Sequence, residues 1–493
     1  MLDFIADRRT ISIILIGLLA FGASATVAQI TGIHHPRISD EFSYLLAADT
    51  FTHGRLTNPP HPMWVHFESA HIIQQPTYMS KYPPGQGLFL AAGQLLDHPI
   101  IGAWLSFALM CVAITWMLYA WLPSRWALLG GFLAIINPIL GVTGYWAQSY
   151  WGGAVAATGG ALVMGAIRRD ALLRNGLLMG LGLALLANSR PYEGLVFSIP
   201  PVILLIKQRS PMFIPITAVL VVTAAMMGFY NYRVTGNALR MPYQVYEATY
   251  AVAPKFVWQG LYTEPAYRHK VMYELAHGKD LEMYRTQRTP LGFINKKAAD
   301  LLLWLLCSLN VLLIPLILTR WRPDNWWSRF AAWTYGLSVL AILFEIPTGI
   351  HYLAPVFCLN YLFALQAMQS RSDNLRWILP LVVVMFGVLS YAYTNEDDLT
   401  WYNQRAAMIT RLERMGGKHL IIVSYGPKHL IDDEWVYNKA DIDEASMVWA
   451  QDMETAQNCK LIEYFKDRHI WSLEADKDQP IPNLQPYPRK LCQ

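Results

Sequence analysis

Residues 38–62, ISDEFSYLLAADTFTHGRLTNPPHP, and residues 79–94, MSKYPPGQGLFLAAGQ, lie between two strongly apolar regions of the chain. The acidic pair Asp40 and Glu41 follows directly after the first apolar run, and the apolar runs themselves carry almost no charge. Charged side chains are costly inside a bilayer and mark functional positions there. The sequence therefore predicts a polar site pressed against a membrane, with its chemistry at Asp40 and Glu41.

The composition is that of a membrane protein. Of 493 residues, 54% are hydrophobic and only 15% are charged, which lies outside the range of ordinary soluble domains. The first apolar run, Ile11 to Ile30, is long enough to cross about 30 Å of hydrocarbon. It continues past Ala23–Ala25, a stretch that resembles a signal-peptide cleavage site, so we expect a retained helix.

Further apolar runs predict an all-α polytopic membrane bundle of about eleven transmembrane helices. The runs at 175–189 and 191–206 are short and also fit a re-entrant pair, which leaves the topology unchanged. The runs after the first cover residues 100–122, 126–146, 149–167, 175–189, 191–206, 211–231, 300–319, 329–345, 352–369 and 376–394.

Basic residues mark alternate connections between these runs. By the positive-inside rule those connections are cytoplasmic. The N-terminus then lies inside, whereas the acidic pair and the C-terminus lie outside. The basic residues are Arg8, Arg9, Arg125, Arg168, Arg169, Arg174, Lys207, Arg209, Arg320, Arg322, Arg329, Arg371 and Arg376.

Two long outside loops accompany the bundle. In the first loop (31–99), the spacing of apolar residues predicts two interfacial helices, Glu41–His53 and Pro84–Leu96. The second loop (232–299) is rich in aromatic and basic residues. It fits either a solvated lid with aromatic anchors at the membrane surface or a loop that covers a substrate.

The tail (395–493) is predicted to be a small α/β domain that follows the membrane domain (1–394). No glycine-rich phosphate-binding motif follows its strands, so a nucleotide site is not expected. The predicted segments are helices at Thr400–Met415 and Glu454–Arg468 and strands at 418–425, 446–450 and 469–473.

The charge and the cysteines of the tail bear on its surroundings. The tail carries 17 acidic and 12 basic side chains, so the mildly basic total of +4 gives no reason to expect nucleic-acid binding. Cys459 and Cys492 are expected to form a disulfide if the compartment is oxidising.

The acidic pair has two interpretations. Asp40 is either the cap of a helix that begins near Glu41, where the helix dipole favours carboxylates, or a catalytic group. The second interpretation is favoured by Lys81, which precedes Tyr82–Gly85 at the start of the second interfacial helix. A cation beside free backbone N–H groups suits a phosphate held at headgroup depth. The site would then hold a base and an anion clamp.

These features together resemble the GT-C superfamily of polyprenyl-phosphate-sugar-dependent glycosyltransferases. The features are an inside N-terminus, one span, the D-E pair, a paired-helix loop that ends in K-Y-P-P-G (81–85), and a many-span bundle. The chain is similar to the bacterial protein-mannosyltransferase, aminoarabinose-transferase and rhizobial lipopolysaccharide-transferase types. The resemblance covers most of residues 1–394, with its specific motifs in 38–91, and implies a GT-C-like bundle in the bacterial inner membrane.

The resemblance implies transfer of a hexosyl or pentosyl group, with inversion, from a polyprenyl-phosphate-linked donor to a glycan, lipid or protein outside the membrane. Matched by position, Asp40 is the general base, acting directly or through a divalent metal ion, and Glu41 is its partner. Lys81 matches a lysine that holds the donor phosphate. Ser80 stands where the family often has a glutamate, which leaves a two-carboxylate metal site incomplete.

Three further residues are candidates for binding the donor phosphate. Arg190, with Glu193 to orient it, stands at an outside helix end, where snorkelling to the interface explains it as well. His351 and Tyr352 stand at another outside end and serve either the donor or interfacial anchoring. No metal-ligand spacing is evident among the histidines of the first loop, which are His34, His35, His53, His61, His66 and His71.

Two other classes of protein compete with an enzyme. A membrane transporter places ionisable residues or broken helices near mid-membrane, whereas these runs have essentially none in their interiors apart from prolines such as Pro138. A scaffold that displays the acidic tail leaves the clustering of Asp40, Glu41 and Lys81 unexplained. An enzyme with its site at the outer membrane surface is the favoured interpretation.

Overall fold

The computed structural model describes residues 2–170, 172–370, 377–394, 400–427, 429–475, 483–488 and 492. Two of the predicted loop cations, Arg371 and Arg376, and the predicted start of the tail at 395 lie outside the described residues. The division of the chain into 1–394 and 395–493 stays a prediction.

The first half of the chain consists of helices and one short hairpin. In chain order the helices are α1 (Leu2–Asp7), α2 (Arg9–Thr31), α3 (Ser39–Thr52), α4 (Pro84–Gln94), α5 (Pro99–Trp121), α6 (Ser124–Ile135), α7 (Tyr145–Gln148), α8 (Ala154–Ala166), α9 (Leu173–Ala187), α10 (Pro191–Gln208) and α11 (Phe213–Thr235), and strands β1 (Ile72–Ile73) and β2 (Met79–Ser80) lie between α3 and α4.

The second half adds the second loop, more of the bundle, and the tail. Its elements are α12 (Pro242–Tyr250), α13 (Lys270–Glu274), a π-helical turn (Leu275–Asp280), α14 (Leu281–Gln287), α15 (Pro290–Ser308), α16 (Leu313–Leu318), α17 (Trp326–Ile342), α18 (Phe357–Ser370), α19 (Ile378–Thr394), α20 (Trp401–Met415), β3 (His419–Tyr425), β4 (Met447–Gln451), α21 (Thr455–Tyr464), β5 (His469–Ala475) and β6 (Leu484–Pro486).

Three helices of the described part are long and apolar enough to cross a membrane. They are α2, α5 and α11, each of 23 residues. The bent pair formed by α15 and residues 310–318 is a fourth if it counts as one span. The chain is thus a multi-pass membrane protein, and the count of about eleven crossings stays a prediction.

The continuous helix predicted over 126–146 is wrong. Helix α6 ends early, and the chain turns before the short α7 begins. Asn137 Oδ1 accepts the N–H groups of Ile139 and Leu140 at 3.1 and 2.9 Å and so replaces helical bonds. Pro138 has no N–H with which to continue the helix. An apolar run with a polar side chain at its centre therefore breaks.

The span predicted at 300–319 is not one straight helix, and the bent pair there counts either as one broken span or as a re-entrant loop. Helix α15 begins earlier and bends by 101° into residues 310–318. Asn310 at the bend has φ of 44°, in the left-handed region that asparagine tolerates better than most residues. The run is therefore two helical pieces joined at one residue.

Close glycine contacts fix the first loop to the bundle. A Cβ atom on Gly102 of α5 would lie 1.9 Å from the Phe89 carbonyl oxygen of α4, and one on Gly93 would lie 2.1 Å from the Gly102 nitrogen. Helix backbones can approach this closely only where side chains are missing. Helix α4 therefore rests directly on α5.

Both helices predicted in the first loop are present, as α3 and α4, with an antiparallel hairpin between them in which Ile72 pairs with Ser80. Helix α3 has no solvated polar side of the kind its amphipathic pattern predicts. Packing against the bundle and the tail buries most of its residues, namely Ser39, Glu41, Phe42, Ser43, Tyr44, Leu46, Ala47, Ala48, Asp49 and Thr50.

The predicted α/β fold of the tail is confirmed, with both helices and the three strands present. The sheet order is β4-β3-β5-β6, with β3 parallel to both β4 and β5 and with β6 antiparallel to β5. Helix α21 connects β4 to β5 across β3. Cys459 of α21 forms a disulfide with Cys492, so the end of the chain is tied to the domain.

One apolar core joins the first loop to the tail. The tail provides polar contacts to this loop as well: Asp49 of α3 accepts the Ala440 N–H at 2.7 Å, and Arg55 donates twice to Asp441. The core consists of Leu46, Phe67, Ile72 and Tyr78 of the first loop and Leu420, Ile422, Ala440, Ile442, Val448, Ala450, Leu461, Phe465 and Ile470 of the tail.

We expect Leu46→Ala to lower the melting temperature, because its side chain is fully buried in this joint core. The truncation should cost about 2–5 kcal/mol of folding free energy. Thermal unfolding of the purified protein in detergent, followed by tryptophan fluorescence, measures the change. Leu95→Ala removes the same atoms from a side chain that is 71% exposed and should leave the melting temperature unchanged. Equal melting temperatures for the two variants would contradict the joint core.

Candidate active site

Asp40 lies in the first turn of α3 and is not its cap. The N-cap position is Ile38, which makes no side-chain bond to the helix. The Asp40 Oδ1 atom accepts a hydrogen bond from the Tyr82 hydroxyl at 2.5 Å, and its Oδ2 atom lies 3.5 Å from Nε2 of His71. Its carboxylate is therefore engaged by the segment around Lys81 and not by its own helix.

The surroundings of Asp40 keep its carboxylate ionised. Burial by itself raises the pKa of Asp40, whereas His71 in its protonated form and, at any pH, the hydrogen bond from Tyr82 lower it. Lys81 and Arg190 act in the same direction, and the pKa of Asp40 ends below its ordinary value. A carboxylate that is ionised and only partly hydrated is suited to accept a proton.

Glu41 is buried, and both of its oxygens are occupied. Its Oε2 atom accepts the Arg37 N–H at 2.7 Å, and its Oε1 atom accepts the Tyr150 N–H at 2.9 Å. Burial raises the pKa of Glu41, while these two backbone bonds oppose the rise. Glu41 therefore joins the start of α3 to the bundle segment just before α8.

Lys81 directly follows the hairpin, where its N–H donates to the His71 carbonyl oxygen at 3.2 Å. Its Nζ atom lies 4.5 Å from the ring centre of Tyr246 and 5.2 Å from that of Tyr82. Burial lowers the pKa of Lys81 to about 8, although Asp40 opposes this. The ammonium group is thus charged at neutral pH and is held among aromatic rings, where it attracts an anion strongly.

The K-Y-P-P-G turn, which contains Lys81, contacts the turn that precedes Arg190. Gly85 N–H donates to the Asn188 carbonyl oxygen at 2.8 Å, and a Cβ atom on Gly85 would lie 2.6 Å from that oxygen. Only glycine permits this approach. The turn that begins α4 is therefore fixed to the turn that begins α10.

Arg190 sits at the start of α10 over an aromatic ring. Its guanidinium carbon lies 4.7 Å from the ring centre of Tyr352, and its Nη1 atom lies 3.8 Å from Glu193 Oε1. The pairing of Arg190 with Glu193 and its nearness to Tyr352 are both observed. Arg190 also lines a small recess together with Tyr44, Pro83, Gln86, Gly152, Gly153, Val155, Ala156 and Ser189.

His351 is buried beside this group and is neutral. Its ring lies 4.2 Å from that of Trp151, nearly edge-on, and 5.1 Å from that of Tyr352. Burial, followed by the charge of Arg190, lowers the pKa of His351 well below its ordinary value. A neutral imidazole serves an anion as a hydrogen-bond donor and adds no charge.

Three residues at the site were missed by sequence reasoning: His71, Tyr82 and Tyr246. Tyr82 adjoins Lys81 in the K-Y-P-P-G motif, and the hairpin pairs the segments of His71 and Lys81, so the local pattern held a signal for both. Tyr246 belongs to α12 of the second loop, which no local pattern connects with Lys81. Its position shows that the second loop reaches the site.

The residues around Asp40 do not form a metal site made of protein ligands alone. In the described part of the chain, no group of three or more His, Cys, Asp or Glu side chains is placed to hold one. The ligand-type neighbour of Asp40 is His71, so the described residues provide at most this pair of protein ligands beside the base. Ser80 stands where the family often has a glutamate, and its hydroxyl hydrogen-bonds to that of Ser43 at 2.7 Å.

No protein-family model and no curated protein matches the sequence, but solved structures match the fold. ArnT from Cupriavidus metallidurans bound to undecaprenyl phosphate shares 11% identity with a TM-score of 0.51, over 93% of this chain and 92% of ArnT. The Archaeoglobus fulgidus oligosaccharyltransferase in complex with zinc and sulfate shares 10% identity with a TM-score of 0.44. That match covers 86% of this chain, which spans 62% of the oligosaccharyltransferase.

The match to ArnT extends over nearly the whole of both chains, so it concerns the architecture and not a fragment. At 11% identity it is evidence of fold alone, because one fold hosts many activities. The GT-C-like bundle that the sequence resemblance implies is thereby supported independently. This chain has the GT-C fold.

Proposed function

We propose that this protein is an integral-membrane glycosyltransferase that moves a hexosyl or pentosyl group from a polyprenyl-phosphate donor to a glycan, lipid or protein acceptor. The observation that carries the proposal is Asp40, a carboxylate kept ionised beside Lys81 and Arg190. A base next to two cations is what transfer from a phosphate-linked donor requires. The GT-C fold supports the reaction class, and the undecaprenyl phosphate bound to ArnT supports a lipid-linked donor.

In the proposed reaction Asp40 removes the proton of the acceptor hydroxyl as the acceptor oxygen attacks the anomeric carbon. The bond between that carbon and the donor phosphate oxygen breaks, and the electron pair leaves with the polyprenyl phosphate. A single displacement of this kind inverts the anomeric configuration. Lys81 and Arg190 stabilise the charge that develops on the phosphate.

The other site residues support this arrangement. Glu41 assists Asp40 by anchoring the first turn of α3 through its two backbone bonds. Tyr352 holds the Arg190 guanidinium against its ring, and His351 offers the phosphate a neutral N–H group. The described residues contain no group of three or more metal ligands here, and no step in the proposed reaction is assigned to a divalent ion.

We place the site and the tail on the outer side of a bacterial inner membrane, with the N-terminus in the cytoplasm. The alternation of basic connections along the chain supports this orientation. So does the bond between Cys459 and Cys492, since disulfides persist in oxidising compartments.

Asp40→Asn should lower kcat by about 100-fold or more, because an amide cannot take the acceptor proton. Purified protein incubated with polyprenyl-phosphate-linked hexoses and pentoses and a panel of envelope acceptors gives the rate. Glu463→Gln, which neutralises a carboxylate that is 80% exposed in the tail, is the control and should retain full activity. Full activity of Asp40→Asn would remove Asp40 from its role.

Use of the donor should fall as the pH rises through about 8, because Lys81 loses its charge there. Below that pH the ammonium binds the phosphate; above it the neutral amine does not. Lys81→Arg should abolish this alkaline decline in kcat/KM for the donor, since guanidinium stays protonated. Lys81→Ala should weaken binding of undecaprenyl phosphate below about pH 8 and should match the wild-type protein well above it. A donor dependence unchanged by Lys81→Ala would refute the assignment.

A cysteine in place of Glu444, whose side chain is 85% exposed, should react in intact cells with a maleimide that cannot cross the membrane. Arg322→Cys, at an exposed position in a connection assigned to the cytoplasm, should react only after lysis. The free cysteines of the described residues are buried and give little background. The reverse labelling pattern would overturn the orientation.

A further inference from the structure

We propose that His71 is a positioning residue for Asp40, holding the carboxylate of the base in one orientation beside Lys81. The inference rests on the proposed function, since it gives His71 a part in the same reaction. It concerns a residue that touches Asp40 and that neither the acidic pair nor the K-Y-P-P-G motif contains.

Each oxygen of the Asp40 carboxylate has its own polar neighbour. The Tyr82 hydroxyl lies 2.5 Å from Oδ1, and Nε2 of His71 lies 3.5 Å from Oδ2. An ionised carboxylate can only accept, so a neutral His71 acts on it as a donor when its proton is on Nε2, the nitrogen that faces Oδ2. Catalytic hydrogen bonds are often long in a substrate-free site and shorten when substrate binds. We infer that this contact shortens to a hydrogen bond when substrate binds and then, together with the bond from Tyr82, fixes the rotation of the carboxylate.

The backbone of His71 is held in a rare conformation at this contact. Its φ is 66°, in the left-handed region that costs a residue with a side chain about 1–3 kcal/mol. Two hydrogen bonds to its carbonyl oxygen compensate: Ser43 Oγ donates at 2.7 Å and the Lys81 N–H at 3.2 Å. Ser43 follows Asp40 by three residues on α3, so it lies on the same helix face. The backbone conformation that these two bonds hold therefore places the imidazole beside Asp40.

The groups around His71 keep its imidazole uncharged. Its ring packs 5.8 Å from that of Tyr82 and 5.9 Å from that of Tyr246. Burial, followed by the charge of Lys81, lowers the pKa of His71 to about 3. Asp40 opposes this decrease, and Lys279 of the second loop adds to it. His71 thus stays neutral at working pH and acts through its hydrogen bond, without taking up the acceptor proton.

The positive φ permits a clean experiment. Glycine and asparagine both tolerate the left-handed region, so His71→Gly removes the ring and His71→Asn retains a shorter N–H donor without backbone strain. We expect His71→Gly to lower kcat by about 10–100-fold, the size of effect that a misplaced catalytic group causes. In the same His71→Gly variant, KM for the donor should stay within about twofold of the wild-type value. The acid limb of its pH profile of kcat should move to higher pH. His71→Asn should recover part of the lost rate.

A purely structural role predicts a different result. In that case His71→Gly, which relieves strain, would keep the wild-type kcat and pH profile, or both variants would lose activity equally together with melting temperature. Either outcome would overturn the proposal. His53→Ala, in the same loop at an imidazole that is 48% exposed, is the control and should be fully active.

A double variant separates this inference from the proposed function. If His71 acts through Asp40, His71→Gly should cause no further loss of kcat in the Asp40→Asn background. An undiminished loss there would sink the positioning role and leave the function standing. Full activity of Asp40→Asn would instead remove Asp40 as the base, and a wild-type protein that transfers no sugar from any of the donors would sink the function.

Discussion

The structure depends on keeping one carboxylate ionised where water is scarce. A buried aspartate takes up a proton unless nearby cations and hydrogen-bond donors outweigh its lost hydration. Asp40 meets this condition through Tyr82 and His71 at its oxygens and through Lys81 and Arg190 nearby. These groups come from separate parts of the chain, so the first loop and the start of α10 must be fixed relative to each other. The close glycine contacts serve that requirement.

Helix α3 is held from two sides. From the bundle, the Tyr150 N–H binds the carboxylate of Glu41, and from the tail, the Arg405 guanidinium carbon lies 5.1 Å from the ring centre of Phe42. Catalytic groups must be placed to within about 0.5 Å, which requires support around the residue that bears them. The position of Asp40 therefore depends on both the bundle and the tail. Each acts through one of the two residues that follow Asp40, Glu41 and Phe42.

Sequence reasoning succeeded where the signal was local. The segments of the tail, α3 and α4 follow from periodicity. Asp40 and Lys81 were singled out because charge beside apolar runs is unusual, and their roles stay predictions. Sequence reasoning failed where a side chain hydrogen-bonds to the backbone or where residues distant in sequence are brought together by strand pairing. The break at Asn137 depends on one amide that replaces helical bonds, and the nearness of His71 to Asp40 depends on hairpin register, which a slip of one residue would reverse.

The shared core of α3 and the tail also imposes an order in time. Roughly 350 residues separate the end of α3 from the start of α20, so synthesis at about 5–20 residues per second delays the tail by about 20–70 s. Throughout that interval Leu46 and Asp49 lack their tail partners. A nascent chain therefore carries a first loop without its tail contacts, and the surroundings of the proposed site are complete only when the late-made tail folds onto the early-made loop.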